Sequence, residues 1–142
     1  MAIQALCRKA DLKEAVRDLL SYQRRPKEVR IVCPIISNPE ICDGNTFLKM
    51  VERLSRVEDI TISLITRKPI VRSRASDDEK REASMRREII QRLEDLNIKV
   101  FQWPSRELHA KIILTESSHD KLALVTSACL LYTSDAADDR EV

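Results

Sequence analysis

Three short runs rich in β-branched residues, 29–36, 59–66 and 98–103, are separated by stretches of helical length, and that alternation confines the chain to an α/β architecture. The first run, Val-Arg-Ile-Val-Cys-Pro-Ile-Ile, is apolar almost throughout, as a strand buried in the middle of a sheet would be. Pro34 lacks an amide hydrogen and should mark its end or an irregularity. In the second run Ile60, Ile62 and Leu64 alternate with Thr61, Ser63 and Ile65; the third ends at Pro104. Between the first two, turn chemistry over 37–45 leads into a helix over 46–56, with Phe47, Leu48, Val51 and Leu54 on one face. Before the third, Ser76-Asp77-Asp78-Glu79 has capping-box spacing and opens a long charged helix to about Leu96. Its packing stripe is Ala83, Arg86, Ile89, Ile90, Leu93 and Leu96, and Asn97 is a plausible stop. An amphipathic helix over 9–24 precedes all of this and ends before Pro26. Two more apolar runs, 108–116 and 121–125, flank the polar turn Ser117-Ser118-His119-Asp120. The expected fold is α/β, a mixed β-sheet flanked by helices, in the order β-α-β-α-β-β-β behind a leading helix.

At 142 residues the chain is one domain by size. The first twenty residues include Arg8, Lys9, Asp11, Lys13, Glu14, Arg17 and Asp18, so they hold no apolar signal core, and no run is suited to spanning a bilayer. A cytoplasmic location is the expectation. A net charge of +2 does not argue for nucleic acid by itself; local placement has to do that. The segment 67–74 does place charge locally: Arg67, Lys68, Arg72 and Arg74 fall within eight residues that contain no acid. Such a loop can bind a polyanion through counterion release, although a solvated linker would look the same. Cys7, Cys33, Cys42 and Cys129 are scattered without a C-x-x-C pair, which argues against zinc. The single glycine, Gly44, excludes a glycine-rich phosphate loop, so a phosphate would have to be held by side chains. No cofactor or metal is expected.

Within 108–116, His109 and Lys111 are two residues apart. In an extended strand they would project to one side, about 6 to 7 Å apart, a reach suited to one phosphate. Polar side chains near a strand end are more commonly plain surface residues. The wider pattern, H-x-K-x4-E, then a hairpin, then Thr126-Ser127-Ala128, resembles the phospholipase D superfamily. That superfamily carries H-x-K-x4-D followed one strand later by a small hydroxyl pair and an Asn. This chain has Glu116 at the acidic position and Cys129 at the Asn position.

The resemblance implies a half-domain over residues 1–128 and phosphoryl transfer through a phosphohistidine, without a metal, between two facing H-x-K elements. It makes His109 the nucleophile or the opposing general acid, and Lys111 the group holding the non-bridging oxygens. Glu116 would orient or charge-balance the site, and Ser127 with Thr126 would donate hydrogen bonds to the phosphate. The loop after the first strand lies near the site in that family, which makes Ser37 and Asn38 candidates for its lining, as capping or turn formation also would explain them. Trp103 could stack on a base, lie beside substrate, or simply pack. With one H-x-K element in the sequence, a complete site would need a second copy of the chain or a second half. Residues 129–142 resemble a translated sequencing adaptor and are read as a non-native tail. The leading functional expectation is a metal-independent nuclease. The alternatives are a phospholipid hydrolase or transphosphatidylase, and a non-catalytic polyanion-binding module of a larger DNA-processing protein.

Overall fold

The computed structural model describes residues 9–38, 40–42, 44–105 and 107–125. Thr126, Ser127, Cys129, the tail and the boundary at residue 128 lie outside the described residues.

The central strand is β1 (Glu28–Val32). It pairs in parallel with β4 (Thr61–Arg67), which pairs in parallel with β5 (Lys99–Trp103) at one edge. On its other side β1 pairs antiparallel with β6 (Ile112–Glu116), and β6 with β7 (Lys121–Val125) at the opposite edge. The order is β5-β4-β1-β6-β7, a five-stranded mixed sheet. The parallel pairs are joined through helices, as parallel neighbours require: α2 (Phe47–Ser55) between β1 and β4, and α3 (Asp77–Asp95) between β4 and β5. The leading segment is shorter than the 9–24 expectation, with α1 at Lys9–Leu19 followed by a single 3₁₀ turn at Tyr22–Arg24. A two-stranded ribbon, β2 (Glu40–Cys42) with β3 (Asn45–Thr46), turns at Gly44, whose φ of 80° suits glycine. Turn signals over 37–45 had marked that region without revealing the ribbon.

Local chemistry sets the ends of these elements. Ser76 caps α3 by accepting the Glu79 amide at 3.2 Å. At the other end Asn97 takes φ 64°, its N–H bonds the Glu94 carbonyl at 2.9 Å, and the Ile98 N–H bonds Leu93 at 3.1 Å. That pair of bonds is a Schellman stop, and the residues it brings together, Leu93 and Ile98, are both buried. For α2, Thr46 accepts the Lys49 amide and Asn38 Oδ1 accepts the Leu48 amide at 2.9 Å. Two of the helix's first amides are thereby satisfied from two separate segments.

One face of the sheet makes the core. Val29 and Ile31 of β1, Ile62 and Leu64 of β4, and Ile113 of β6 are buried in one cluster with residues of all three helices. The opposite face is another matter. A row in register, Phe101, Ile65, Val32, Ile112 and Val125, crosses all five strands. Its end members are 57% and 72% exposed, and Leu114 of the next row is 41% exposed. Among the described residues, no helix is long and apolar enough to cross a membrane.

Candidate functional site

β1, β4 and β5 all point their carboxyl ends toward one rim of the sheet, and β6 begins at that same rim because it runs antiparallel to β1. The connection 104–111 must therefore travel from the β5 edge across the ends of β4 and β1 before it can enter β6. His109 and Lys111 lie on that crossing segment. The strand expected from Leu108 begins only at Ile112, the partner of Val32, the last residue of β1. Physically, the ladder stops where β1 stops, and β1 stops just short of Pro34, which has no N–H to offer. Strand alternation therefore does not place His109 and Lys111.

Arg67, the last residue of β4, does much of that placing instead. Its Nε donates to the Leu108 carbonyl at 2.8 Å, and its Nη2 lies 2.9 Å from His109 Nδ1. A guanidinium has donors only, so Nδ1 must accept and the proton of the neutral ring resides on Nε2. Arg67 itself is held by its backbone. Its N–H bonds the Pro34 carbonyl at 3.1 Å, and its own carbonyl accepts from Arg86 Nη2 at 3.0 Å. Beside it, Thr66 is fully buried and donates its hydroxyl to the Pro34 carbonyl at 3.2 Å. The Lys68 N–H bonds the Trp103 carbonyl at 2.8 Å, tying the ends of β4 and β5 together.

A cleft of about 250 Å³ opens at this rim, lined by Ile35, Arg67, Lys68, Ile70, Arg86, Trp103, Pro104 and Ser105. Three cations, an indole and a hydroxyl line a volume that can take a phosphate group with room beside it, a little below the usual size of a whole-ligand pocket. His109 and Lys111 are not part of the lining; Arg67 is the side chain that belongs both to the cleft and to the histidine. His109 is exposed and Lys111 half-buried.

The other candidates separate into those near the rim and those away from it. Trp103 is at the rim, 42% exposed, its ring 6.1 Å from that of Phe101. Arg72 and Arg74 are exposed on the turn before α3 and do not line the cleft. Ser37 is buried, and the Asn38 side chain is engaged at the start of α2. Glu116 is at the opposite end of β6, paired in register with Glu28 at the start of β1, and its carboxylate is 3.5 Å from Lys121. Four strand steps put it about 14 Å beyond Ile112. The structure thus does not bring Glu116 to His109, which corrects the expectation that it orients or charge-balances the site. His119 is exposed in the β6–β7 turn. In that turn the Asp120 carboxylate accepts from Ser117 Oγ at 2.6 Å and from Arg24 at 2.7 Å. The Ser117 bond, the largest cause, acts with Arg24 to hold the Asp120 pKa below its ordinary value against desolvation.

Arg86 is the charged cleft residue that sequence reasoning missed, along with Ile35, Ile70, Pro104 and Ser105. It had been placed in the packing stripe of α3, and the available signal was a cation at a position, three after Ala83, where an apolar residue belongs. Among the described residues no group of three His, Cys, Asp or Glu side chains could hold a metal ion. No protein-family model, curated protein or solved structure matches the chain.

Proposed function

We propose that the chain is a phospholipase D-like phosphodiesterase module that binds nucleic-acid phosphate at the carboxyl rim of its parallel strands, with His109 as the reacting imidazole. The observation that carries this reading is the Arg67 bridge, a guanidinium shared between a basic cleft and the histidine of the H-x-K element. Unengaged, the Nδ1 lone pair points at Arg67 and cannot attack. The anionic oxygens of a diester are better partners for a guanidinium fork than a neutral ring nitrogen is. Substrate entering the cleft would draw Arg67 onto phosphate and release the imidazole. An N–P bond then forms as the P–O bond to the leaving group breaks, and the leaving oxygen takes its proton from the second motif. In the second step water attacks phosphorus as the N–P bond breaks, its proton passes to the group of the second motif that had protonated the leaving oxygen, and the histidine is regenerated. Lys111 is suited to stabilising the charge that develops on the non-bridging oxygens. One H-x-K element supplies half of this scheme, and a two-fold partner or a second half-domain would supply the rest.

The same bridge favours a second reading. If Arg67 stays on Nδ1 with substrate bound, the site binds polyanions without turning them over. Incubation with DNA, RNA, a chromogenic phosphodiester and phospholipid vesicles, all in EDTA, separates these readings. Chelator-resistant cleavage of nucleic acid that is lost in His109→Ala is expected. Cleavage that survives the substitution, or that requires the metal, refutes the phosphohistidine scheme; cleavage of lipid alone moves the substrate to the phospholipid class.

A further inference from the structure

We infer that the nucleic acid taken by this rim is single-stranded, read without sequence preference through base stacking on the Trp103–Phe101 pair while the neighbouring phosphate occupies the Arg67–Lys68–Arg86 cleft. This deepens the reading of that cleft as a phosphate site and rests on it.

Phe101 and Trp103 are two apart on the edge strand β5, in register with Ile65 and Arg67 of β4, so both rings stand on the face of the sheet opposite buried Ile62 and Leu64. They are 42% and 57% exposed, with centroids 6.1 Å apart and planes tilted by 48°. Two large aromatics left in water at a strand end call for a partner with an apolar face. Trp103 also lines the cleft beside Arg67 and Lys68, so the indole and the cations share one wall. Arg72 and Arg74 extend the positive charge along the turn leading away from it. An apolar plane next to a run of cations complements a nucleotide chain, in which each base is tethered to a phosphate. An uncharged apolar surface would satisfy the rings and give the cleft no anion to hold. A duplex would satisfy the cations, but its base faces are stacked on one another and closed to a ring on a strand surface. Unstacked bases meet both features at once.

Trp103 is the only tryptophan in the chain, so its fluorescence reports this contact directly. The full chain would be titrated in EDTA with a ten-nucleotide oligothymidylate, a mixed-sequence single strand of equal length, the corresponding duplex, and inorganic polyphosphate. The single strands should bind with similar affinity and quench the indole; the duplex should bind at least tenfold more weakly, and polyphosphate should bind without quenching. Trp103→Ala, followed by anisotropy of a labelled strand, should cost about 5- to 150-fold in single-strand affinity. Trp103→Phe should restore most of it, and polyphosphate affinity should fall by less than single-strand affinity in either variant. Equal binding of duplex, binding without quenching, or an unchanged Trp103→Ala affinity would each overturn the inference. Self-association that shifts the fluorescence without nucleic acid would also overturn it, by assigning the rings to a second copy. If neither single strand nor polyphosphate binds, the cleft reading falls too. If single strands bind as described but are not cleaved, the inference stands and the phosphodiesterase reading alone falls.

Discussion

Replacing Arg67 with Gln tests the central contact of the rim. The substitution removes a donor 2.8 Å from the Leu108 carbonyl and another 2.9 Å from His109 Nδ1. Bonds to charged donors contribute about 1.5 to 3 kcal/mol when well buried. Arg67 is half-buried and His109 exposed, so about 1 kcal/mol for each bond is the appropriate scale. For the ring, losing about 1 kcal/mol of bias changes the ratio of Nε2–H to Nδ1–H tautomers by about fivefold. For the segment, losing about 2 kcal/mol raises its open population about 30-fold, which should appear as faster tryptic cleavage at Lys111 if opening is fast relative to cleavage. Long-range proton–nitrogen NMR at alkaline pH reads the tautomer directly. Wild type should show the Nε2–H form, Arg67→Gln a mixture, and Arg67→Lys an intermediate ratio, because an ammonium cannot span both acceptors as a fork does. A wild-type proton on Nδ1, or a ratio unmoved by Arg67→Gln, would refute the argument that this guanidinium sets the state of the ring.

Other contacts make further predictions. Asn97→Ala should destabilise the fold by about 1 kcal/mol, because alanine lacks the side-chain compensation that makes φ 64° tolerable, whereas Asn97→Gly should be neutral or stabilising; urea unfolding distinguishes them. Ser76→Ala should cost about 1 kcal/mol in the same assay through loss of the bond from the Glu79 amide. Asp120 titrates below the ordinary value of 3.8, so its contribution is present above about pH 4 and is lost as pH falls through the depressed value. In Asp120→Asn that part of the acid limb should disappear, and by NMR both Ser117→Ala and Arg24→Ala should raise the Asp120 titration midpoint, since each removes a partner that lowers it.

Features governed by neighbours in sequence were legible in the chain. The stop of α3 at Asn97, its cap at Ser76 and the end of β1 before Pro34 are each decided within a few residues, where side-chain chemistry and backbone preference act without help from the fold. The alternation of Ile62 and Leu64 with Ser63 and Ile65 likewise announced which face of β4 would be buried. The register between strands was not legible. Nothing near His109 in the sequence says that its ring nitrogen will meet a side chain 42 positions earlier, because that meeting depends on β4 outrunning β1 at the rim.

The rim also explains why the motif could be found and its geometry misjudged. Spacing along 108–116 assumed a strand, and a strand exists only where a neighbour offers hydrogen bonds; beyond Val32 that neighbour is gone. The chain there is free to cross the strand ends, and a crossing segment needs some other anchor for its two polar side chains. Arg67 supplies one from the end of the adjacent strand, at a position the sequence marked only as the first cation of a basic stretch. Arg72 and Arg74, equal to Arg67 in that stretch by composition, remain exposed on the following turn. The difference is whether β4 has ended: up to residue 67 the sheet fixes each side chain's direction, and after it the chain turns into solvent. The basic segment therefore divides into one residue that can set the state of the histidine and others that can only add to the field around it. Charge-neutral substitutions at Arg72 and Arg74 should accordingly lower nucleic-acid affinity and its salt dependence together, while leaving the His109 tautomer ratio untouched; a change in that ratio would place the turn against the ring and undo the distinction.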